Sequence, residues 1–250
     1  MITSRSNETI RALRSLLTKK GREQQGCLLL EGAKLIEDAL KSNCIPDLAA
    51  VSPDCNSELL NRLAAAGCTI LPCSDDVLNS ITDTRSPQGI VARCKLPLRS
   101  ISAYCGLWVG LDCLQDPGNL GSIIRSADAL GASGILLGAG CADPFSPKVV
   151  RSAMGSLFHL PLVASDLITE AATMKQQAFY IIASCLDGDT KLPSTPDKTL
   201  LLIGNESRGL SSELLALSDY RFKIDMPGSA ESLNASAACA IMLYALAKKG

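Results

Sequence analysis

Three short polar segments hold the residues best suited to chemistry. The first is Asp116-Pro117-Gly118-Asn119, followed six residues later by Arg125. The second is Gly204-Asn205-Glu206-Ser207-Arg208-Gly209, and the third runs from Ile224 through Met226-Pro227-Gly228 to Ser232-Leu233-Asn234. Glu206 can reach a polar partner, and a glycine-rich loop after a buried strand suggests close approach to a ligand. Glycines among them let main chain approach a flat ligand and offer it N–H and C=O groups. Each segment also has a plain reading. Asn119 can cap a helix beside a surface arginine, residues 204–209 can be an ordinary turn, and Ser232 and Asn234 can cap the helix that follows. A conventional base is missing from all three. The sole histidine, His159, lies between Phe158 and Leu160-Pro161 and reads as a packed, hydrogen-bonded side chain.

Other chemistries leave no trace. There is no Gly-x-x-x-x-Gly-Lys-Ser/Thr loop and no Gly-x-Ser-x-Gly elbow. Gly138-Ala139-Gly140 follows a predicted strand, but Asp143 stands at the third glycine position and Pro144 and Pro147 obstruct the helix that dinucleotide binding needs. A nicotinamide-dependent dehydrogenase is thereby set aside. The 11 cysteines include no Cys-x-x-Cys pair, so no metal site is expected. Most lie in apolar stretches and read as small buried hydrophobes in a reducing cytoplasm.

The elements that must position these segments follow from periodicity. Residues 9–20 predict a helix, with Ile10, Leu13, Leu16 and Leu17 on one face. Strands are expected at 27–30, 48–51, 69–72 and 89–94, alternating with helices at 31–41, 57–66 and 75–81. Lys95-Leu96-Pro97-Leu98-Arg99-Ser100 suits a linker, which places a domain boundary at 98. Beyond it come a strand at 107–111, a helix at 120–130, a strand at 134–137, strands at 179–183 and 200–203, a short helix at 212–216, a strand at 220–224 and a helix at 234–247. Strand–turn–helix–strand within some 30 residues is a βαβ unit with a parallel sheet, so the fold class is α/β. Ligands bind such sheets at the carboxyl ends of the strands, where all three segments fall.

Composition supports this. The chain has 250 residues, 47% hydrophobic and 20% charged, which excludes a disordered chain. Aromatics at 4% leave a core of Leu, Ile, Val and Ala. With 24 Lys+Arg against 25 Asp+Glu, overall charge is silent about nucleic acid. Basicity gathers at the start, where six Lys and Arg face Glu8 within residues 1–22. Charge alone admits an organelle transit peptide, but the apolar face assigns this stretch to the fold. No apolar run spans a membrane, since Glu231, Asn234 and Ser236 interrupt the nearest one, 229–247.

Taken in order, Asn119…Arg125, Gly204-Asn205-Glu206…Gly209 and Ile224…Met226-Pro227-Gly228…Ser232-Leu233-Asn234…Ser236 strongly resemble the three motifs of the SpoU/TrmH family. These are RNA 2′-O-ribose methyltransferases that use S-adenosylmethionine. The likeness spans residues 107–246 and includes Ser146 to His159. Residues 5–95 resemble the substrate-binding domain often found at this family's N-terminus, through Leu29-Leu30-Glu31-Gly32 and Ser86-Pro87-Gln88-Gly89-Ile90-Val91-Ala92. Asp225 departs from the third motif, which commonly has proline there.

The resemblance implies an L30e-like α/β RNA-binding domain at 1–98 and a knotted α/β methyltransferase domain at 99–250, its C-terminal part threaded into a deep trefoil. It implies donor contacts at Gly204, Asn205, Ile224, Met226 and Leu233, with Asn119, Arg125, Glu206, Ser232 and Asn234 in the catalytic pocket. Arg125 would bind an RNA phosphate and stabilise the developing alkoxide, the family's assignment of it as base notwithstanding, because guanidinium groups keep their proton. The expected activity is methyl transfer to ribosomal RNA in the cytoplasm, without metal or membrane. The expected assembly is a homodimer through the final helix, using Leu233, Ile241, Met242 and Tyr244. The competing readings are a transfer-RNA methyltransferase and a non-catalytic RNA-binding protein on the same scaffold.

Overall fold

The computed structural model describes residues 1–84, 87–97 and 103–247. The boundary at 98, residues 98–100 of the expected linker and Ser86 of the 86–92 motif lie outside the described residues. The chain divides into two compact units, Met1–Pro97 with Phe145–Phe158, and Leu98–Pro144 with His159–Gly250.

In the first unit the helix expected over 9–20 is two helices, α1 (Glu8–Ser15) and α2 (Lys19–Gln25). Thr18 breaks it by capping α2, its hydroxyl accepting the Gly21 N–H at 3.1 Å. A Cβ on Gly21 would stand 2.0 Å from the Ser15 carbonyl oxygen, so only glycine lets the two helices meet there. Then follow β1 (Cys27–Glu31), α3 (Ala33–Lys41), β2 (Leu48–Val51), α4 (Ser57–Ala65), β3 (Thr69–Pro72), α5 (Asp75–Asn79) and β4 (Ile90–Lys95). The sheet order is β1-β4-β2-β3, parallel only between β2 and β3. Ile10, Leu13 and Leu16 of the first helical stretch pack with Leu29, Val77, Ile81 and Val91 in its core. The opening cations split by role. Arg14 donates to the Ser80 carbonyl at 3.0 Å and to its hydroxyl at 2.6 Å, Arg5 pairs with Asp76, and buried Arg22 donates to the Leu16 carbonyl at 2.6 Å. Arg11, Lys19 and Lys20 face solvent.

The second unit opens with β5 (Leu107–Leu111), α6 (Pro117–Ala129) and β6 (Gly134–Leu137). The next elements, α7 (Pro147–Ala153) and a 3-10 turn (Met154–Phe158), belong to the first unit, where Arg151 donates to Asp83 at 2.9 Å. Pro147, expected to obstruct a helix, occupies the first turn of α7, where a missing N–H costs nothing. The chain continues with β7 (Leu162–Ala164), α8 (Leu167–Gln176), β8 (Tyr180–Asp189), β9 (Thr199–Ile203), α9 (Ser212–Leu217), β10 (Tyr220–Phe222) and α10 (Ala235–Ala247). Six strands in the order β10-β8-β9-β5-β6-β7 pair parallel throughout. The unbroken apolar runs of β5 and β9 are what a parallel strand covered on both faces requires. Leu111 pairs with Ile203, so the loops leaving β5 and β9 start side by side. Helices α6 and α10 pack on each other.

All 11 cysteines are free, and they divide more widely than expected. Cys27, Cys68, Cys73, Cys94 and Cys239 are buried, and burial pushes the Cys94 and Cys239 thiols up to about 12. Cys105 is exposed, and Cys113 and Cys141 are among those only half-buried.

Candidate active site

The loop after β5 delivers Asn119. Asp116, not Asn119, caps α6: its carboxylate accepts the Asn119 N–H at 2.8 Å, and Pro117 opens the helix. The helix therefore starts three residues earlier than its apolar pattern indicates, and Asn119 lies inside its first turn with its amide free to reach outward. That amide donates to the Glu206 carboxylate at 3.1 Å and accepts from the Asn234 amide at 2.8 Å. A carboxylate only accepts, so Asn119 must present its NH₂ to Glu206 and its oxygen to Asn234. The Asn234 oxygen in turn caps α10, accepting from the Ser236 N–H at 2.9 Å, the Ser236 hydroxyl at 2.6 Å and the Ala237 N–H at 3.4 Å. One polarity runs through the whole chain of bonds.

The loop after β9 delivers Glu206. Asn205 and Gly209 close it with reciprocal backbone bonds of 3.0 and 2.9 Å. A Cβ on buried Gly204 would lie 2.2 Å from the Gly209 carbonyl carbon, so the closure demands glycine. Asn205 braces the loop by accepting from the Ser207 and Arg208 N–H groups, and ties it to the first loop by donating to the Cys113 carbonyl at 2.8 Å. Its side chain is thus spent on the two loops. Glu206 also accepts from the Asp116 and Gln115 N–H groups at 3.3 and 3.5 Å. Burial works to raise its carboxyl, but the Asn119 amide and these backbone donors outweigh it and hold the group below the usual carboxylate range.

The third segment, 224–233, has no regular structure and makes no backbone–backbone hydrogen bond among the described residues. Ile224 and Met226 are half-buried and Leu233 is 38% exposed. Ser232 is exposed and makes no hydrogen bond among the described residues. Arg125, on α6, is likewise exposed and engages no described residue in a hydrogen bond or ion pair. The structure therefore joins Asn119, Glu206 and Asn234 directly, with Asn205 beside them. No bond joins Arg125 or Ser232 to that junction. The backbone donors of Gln115 and Asp116 escape sequence reading, because only the pairing of β5 with β9 brings them to Glu206.

His159 is not packed as expected. Its side chain is 50% exposed, and it keeps one expected feature, a 2.8 Å hydrogen bond between Nδ1 and Asp128. Among the described residues no cluster of His, Cys, Asp and Glu is arranged to hold a metal ion, and no helix is long and apolar enough to cross a membrane.

Residues 106–244 match the SpoU rRNA Methylase family, and residues 7–92 match the MRM3-like substrate binding domain. The chain is 34% identical to the 23S rRNA (guanosine(2553)-2'-O)-methyltransferase RlmP of Bacillus subtilis (strain 168), over 98% of both chains. It superposes on an AdoMet-bound rRNA methyltransferase from Sinorhizobium meliloti with a TM-score of 0.86 at 33% identity, covering 99% of this chain and 97% of that one. The SpoU methyltransferase AviRb from Streptomyces viridochromogenes, in complex with AdoMet, gives a TM-score of 0.86 at 31% identity over 97% of each. Family match, near full-length relatives and a shared fold agree, and the chain belongs to the SpoU rRNA methylase family.

Proposed function

We propose that this protein transfers the methyl group of S-adenosylmethionine to a ribose 2′-hydroxyl of ribosomal RNA. The observation that carries the proposal is the junction of Asn119 and Glu206, from the loops leaving the neighbouring parallel strands β5 and β9, with Asn234 at the start of α10. The donor fits the third segment. Main-chain groups of residues 224–233 are unpaired within the described chain, and Ile224, Met226 and Leu233 flank them with apolar side chains. That is the surface an adenine ring needs, polar at its edge and apolar on its faces. When bound, S-adenosylmethionine supplies an electrophilic methyl on a sulfonium.

The remaining work belongs to this chain. Glu206, held ionised, fixes the Asn119 amide, and Asn119 and Asn234 hold the third segment against the first. Arg125, uncommitted to any described residue, grips an RNA phosphate and stabilises charge developing on the ribose oxygen. Ser232 completes the pocket from the third segment. The MRM3-like region binds the RNA, and an L30e-like fold suits its mixed four-stranded sheet. A trefoil knot in the second unit is supported by the family likeness and by three distant loops meeting at one junction. A homodimer is supported by Ala237, Ile241 and Tyr244, which form an exposed stripe on α10 at 44% and 51% exposure for the two large residues. Met242, expected in that interface, is instead 2% exposed within its own chain. Free cysteines throughout suit a reducing cytoplasm.

Calorimetry with S-adenosylmethionine tests the donor site. One site per chain is expected, and Leu233→Asp should abolish binding by setting a charge against the adenine. Binding of NAD with no binding of S-adenosylmethionine would overturn the assignment.

A further inference from the structure

The loop after β5 carries a thiol that methyl transfer does not use. Cys113 holds a left-handed backbone with φ 55, a conformation disfavoured for residues other than glycine, asparagine and aspartate. Its sulfur packs on the turn at 138–141, where a Cβ on Gly140 would stand 2.7 Å from Cys113 Sγ. From the other side, Cys141 Sγ lies 3.3 Å from the Leu114 N–H and 3.3 Å from the Leu111 carbonyl oxygen. Each sulfur thus rests against the chain neighbour of the other cysteine. Backbone bonds from Gly138 to Leu111 at 2.9 Å and from Ala142 to Leu114 at 2.8 Å hold the two turns face to face. Neither thiol is fully buried. The same loop feeds the candidate site, through the Cys113 carbonyl that accepts Asn205 and the Gln115 and Asp116 N–H groups that hold Glu206.

We propose that Cys113 and Cys141 form a redox-sensitive dithiol, which a peroxide closes to a disulfide that draws the loop after β5 onto the 138–141 turn and disengages Asn205 and Glu206. The pairing of the thiols stands by itself, whereas its effect on turnover rests on the methyl-transfer reading. Cys141 Sγ is held between the Leu114 N–H and the Leu111 carbonyl and burial pushes its thiol up, whereas the Gln115 side-chain amide donates to Cys113 Sγ at 3.8 Å, which assigns the first attack to Cys113. The Cys113 thiolate attacks one peroxide oxygen, the O–O bond breaks, and Cys113 becomes a sulfenic acid. The other oxygen leaves as hydroxide and takes up a proton to become water. Cys141 sulfur then attacks Cys113 sulfur, the S–O bond breaks, and a second water leaves with the Cys141 proton. Two thiols lose two electrons and two protons, and the peroxide is reduced to two waters.

The test treats full-length reduced protein with hydrogen peroxide, blocks remaining thiols with iodoacetamide and maps the peptides by mass spectrometry. A cross-linked 113–141 pair lighter by two hydrogens is expected, and it should be absent from Cys113→Gly and Cys141→Ser. Methyl transfer by the oxidised wild type should fall at least about fivefold against its own reduced form and return with dithiothreitol, whereas in each variant the same ratio stays near one. Alkylation of both thiols after peroxide, or a cross-link to another cysteine, overturns the pairing. A 113–141 cross-link that leaves turnover unchanged overturns the switch. Reduced protein that transfers no methyl contradicts the functional reading alone, and the peptide map still decides the pairing.

Discussion

Arg125 is the cation on α6 left without a described partner, and that freedom is what a phosphate-gripping, alkoxide-stabilising group needs. Arg125→Ala should slow single-turnover methyl transfer by at least about a hundredfold at saturating RNA and donor, the scale of losing one charge-stabilising donor. Donor affinity by calorimetry should be unchanged. Arg125→Lys should rescue little, because an ammonium cannot make the planar two-point contact. Turnover near wild type in Arg125→Ala would reduce the residue to an RNA-binding role. Glu206 has a different test. Its carboxyl is ionised more readily in the folded chain than the unfolded value of about 4.3. A depressed folded pKa contributes stability above the unfolded value and loses it as pH falls through the folded one. Between pH 6 and 9, then, neither unfolding midpoint nor turnover should show an inflection from Glu206. Glu206→Gln should cost at least about tenfold in turnover, since an amide NH₂ would face the Asn119 amide and backbone N–H groups that now donate to a carboxylate. An inflection near pH 7 that vanishes in Glu206→Gln would contradict this account.

Helix α10 joins two tasks at its start, and substitutions at Asn234 separate them. Asn234→Asp keeps the cap on Ser236 and Ala237, so urea unfolding should shift little, but it turns an acceptor toward the Asn119 oxygen and should lower turnover. Asn234→Ala should lose about 1 kcal/mol of stability with the cap and lower turnover as well. Equal stability and equal activity in Asn234→Asp would show that the Asn119–Asn234 bond does nothing for the reaction. These elements are partly legible in the sequence. Unbroken apolar runs mark β5, β6 and β9 as parallel strands, and Asn119, Glu206 and Asn234 stand out as polar residues at strand ends. Their mutual bonds are not legible, because β9 inserts beside β5 from some 90 residues away and periodicity carries no information about strand order. The start of α6 is hidden because its first turn, Pro117-Gly118-Asn119, is polar and carries no apolar stripe, although Asp-Pro is itself a start signal. Pro147 masks α7 in the same way, since a proline inside a helix breaks it but one in the first turn does not. The split at Thr18 is hidden because the apolar spacing of Ile10, Leu13, Leu16 and Leu17 runs past the end of α1 into the turn, and α2 carries no apolar side chain to mark a new start.

Charge at the start of the chain bears on how RNA is held. Arg5, Arg14 and Arg22 are spent on internal contacts and Lys19 makes only an exposed 3.9 Å pair with Glu23, so Arg11, Lys19 and Lys20 are the cations there that can meet phosphate. Reversing these three to Glu should weaken RNA binding and lower the salt slope by about 0.7–0.9 for each phosphate no longer gripped, without changing donor affinity. Arg14→Glu should instead destabilise the first unit. A chain cut near residue 99 is a poor test, because it strips residues 145–158 of the partners they pack on. The stripe on α10 has its own readout. If the proposed homodimer forms through this stripe, light scattering should give a dimer for the wild type and a monomer of 26.3 kDa for Ile241→Glu with Tyr244→Glu; a wild-type monomer would contradict the proposal. The central claim, methyl transfer to a ribose hydroxyl of ribosomal RNA, is tested most directly by incubating the full-length protein with ribosomal RNA and S-adenosylmethionine labelled in its methyl group, then hydrolysing the RNA in alkali. Alkaline cleavage needs a free 2′-hydroxyl, so a 2′-O-methyl group protects the bond that follows it. Label confined to an alkali-resistant dinucleotide, and absent with Arg125→Ala, is the predicted result. Label released on single nucleotides, or RNA bound with no label transferred, would contradict the account.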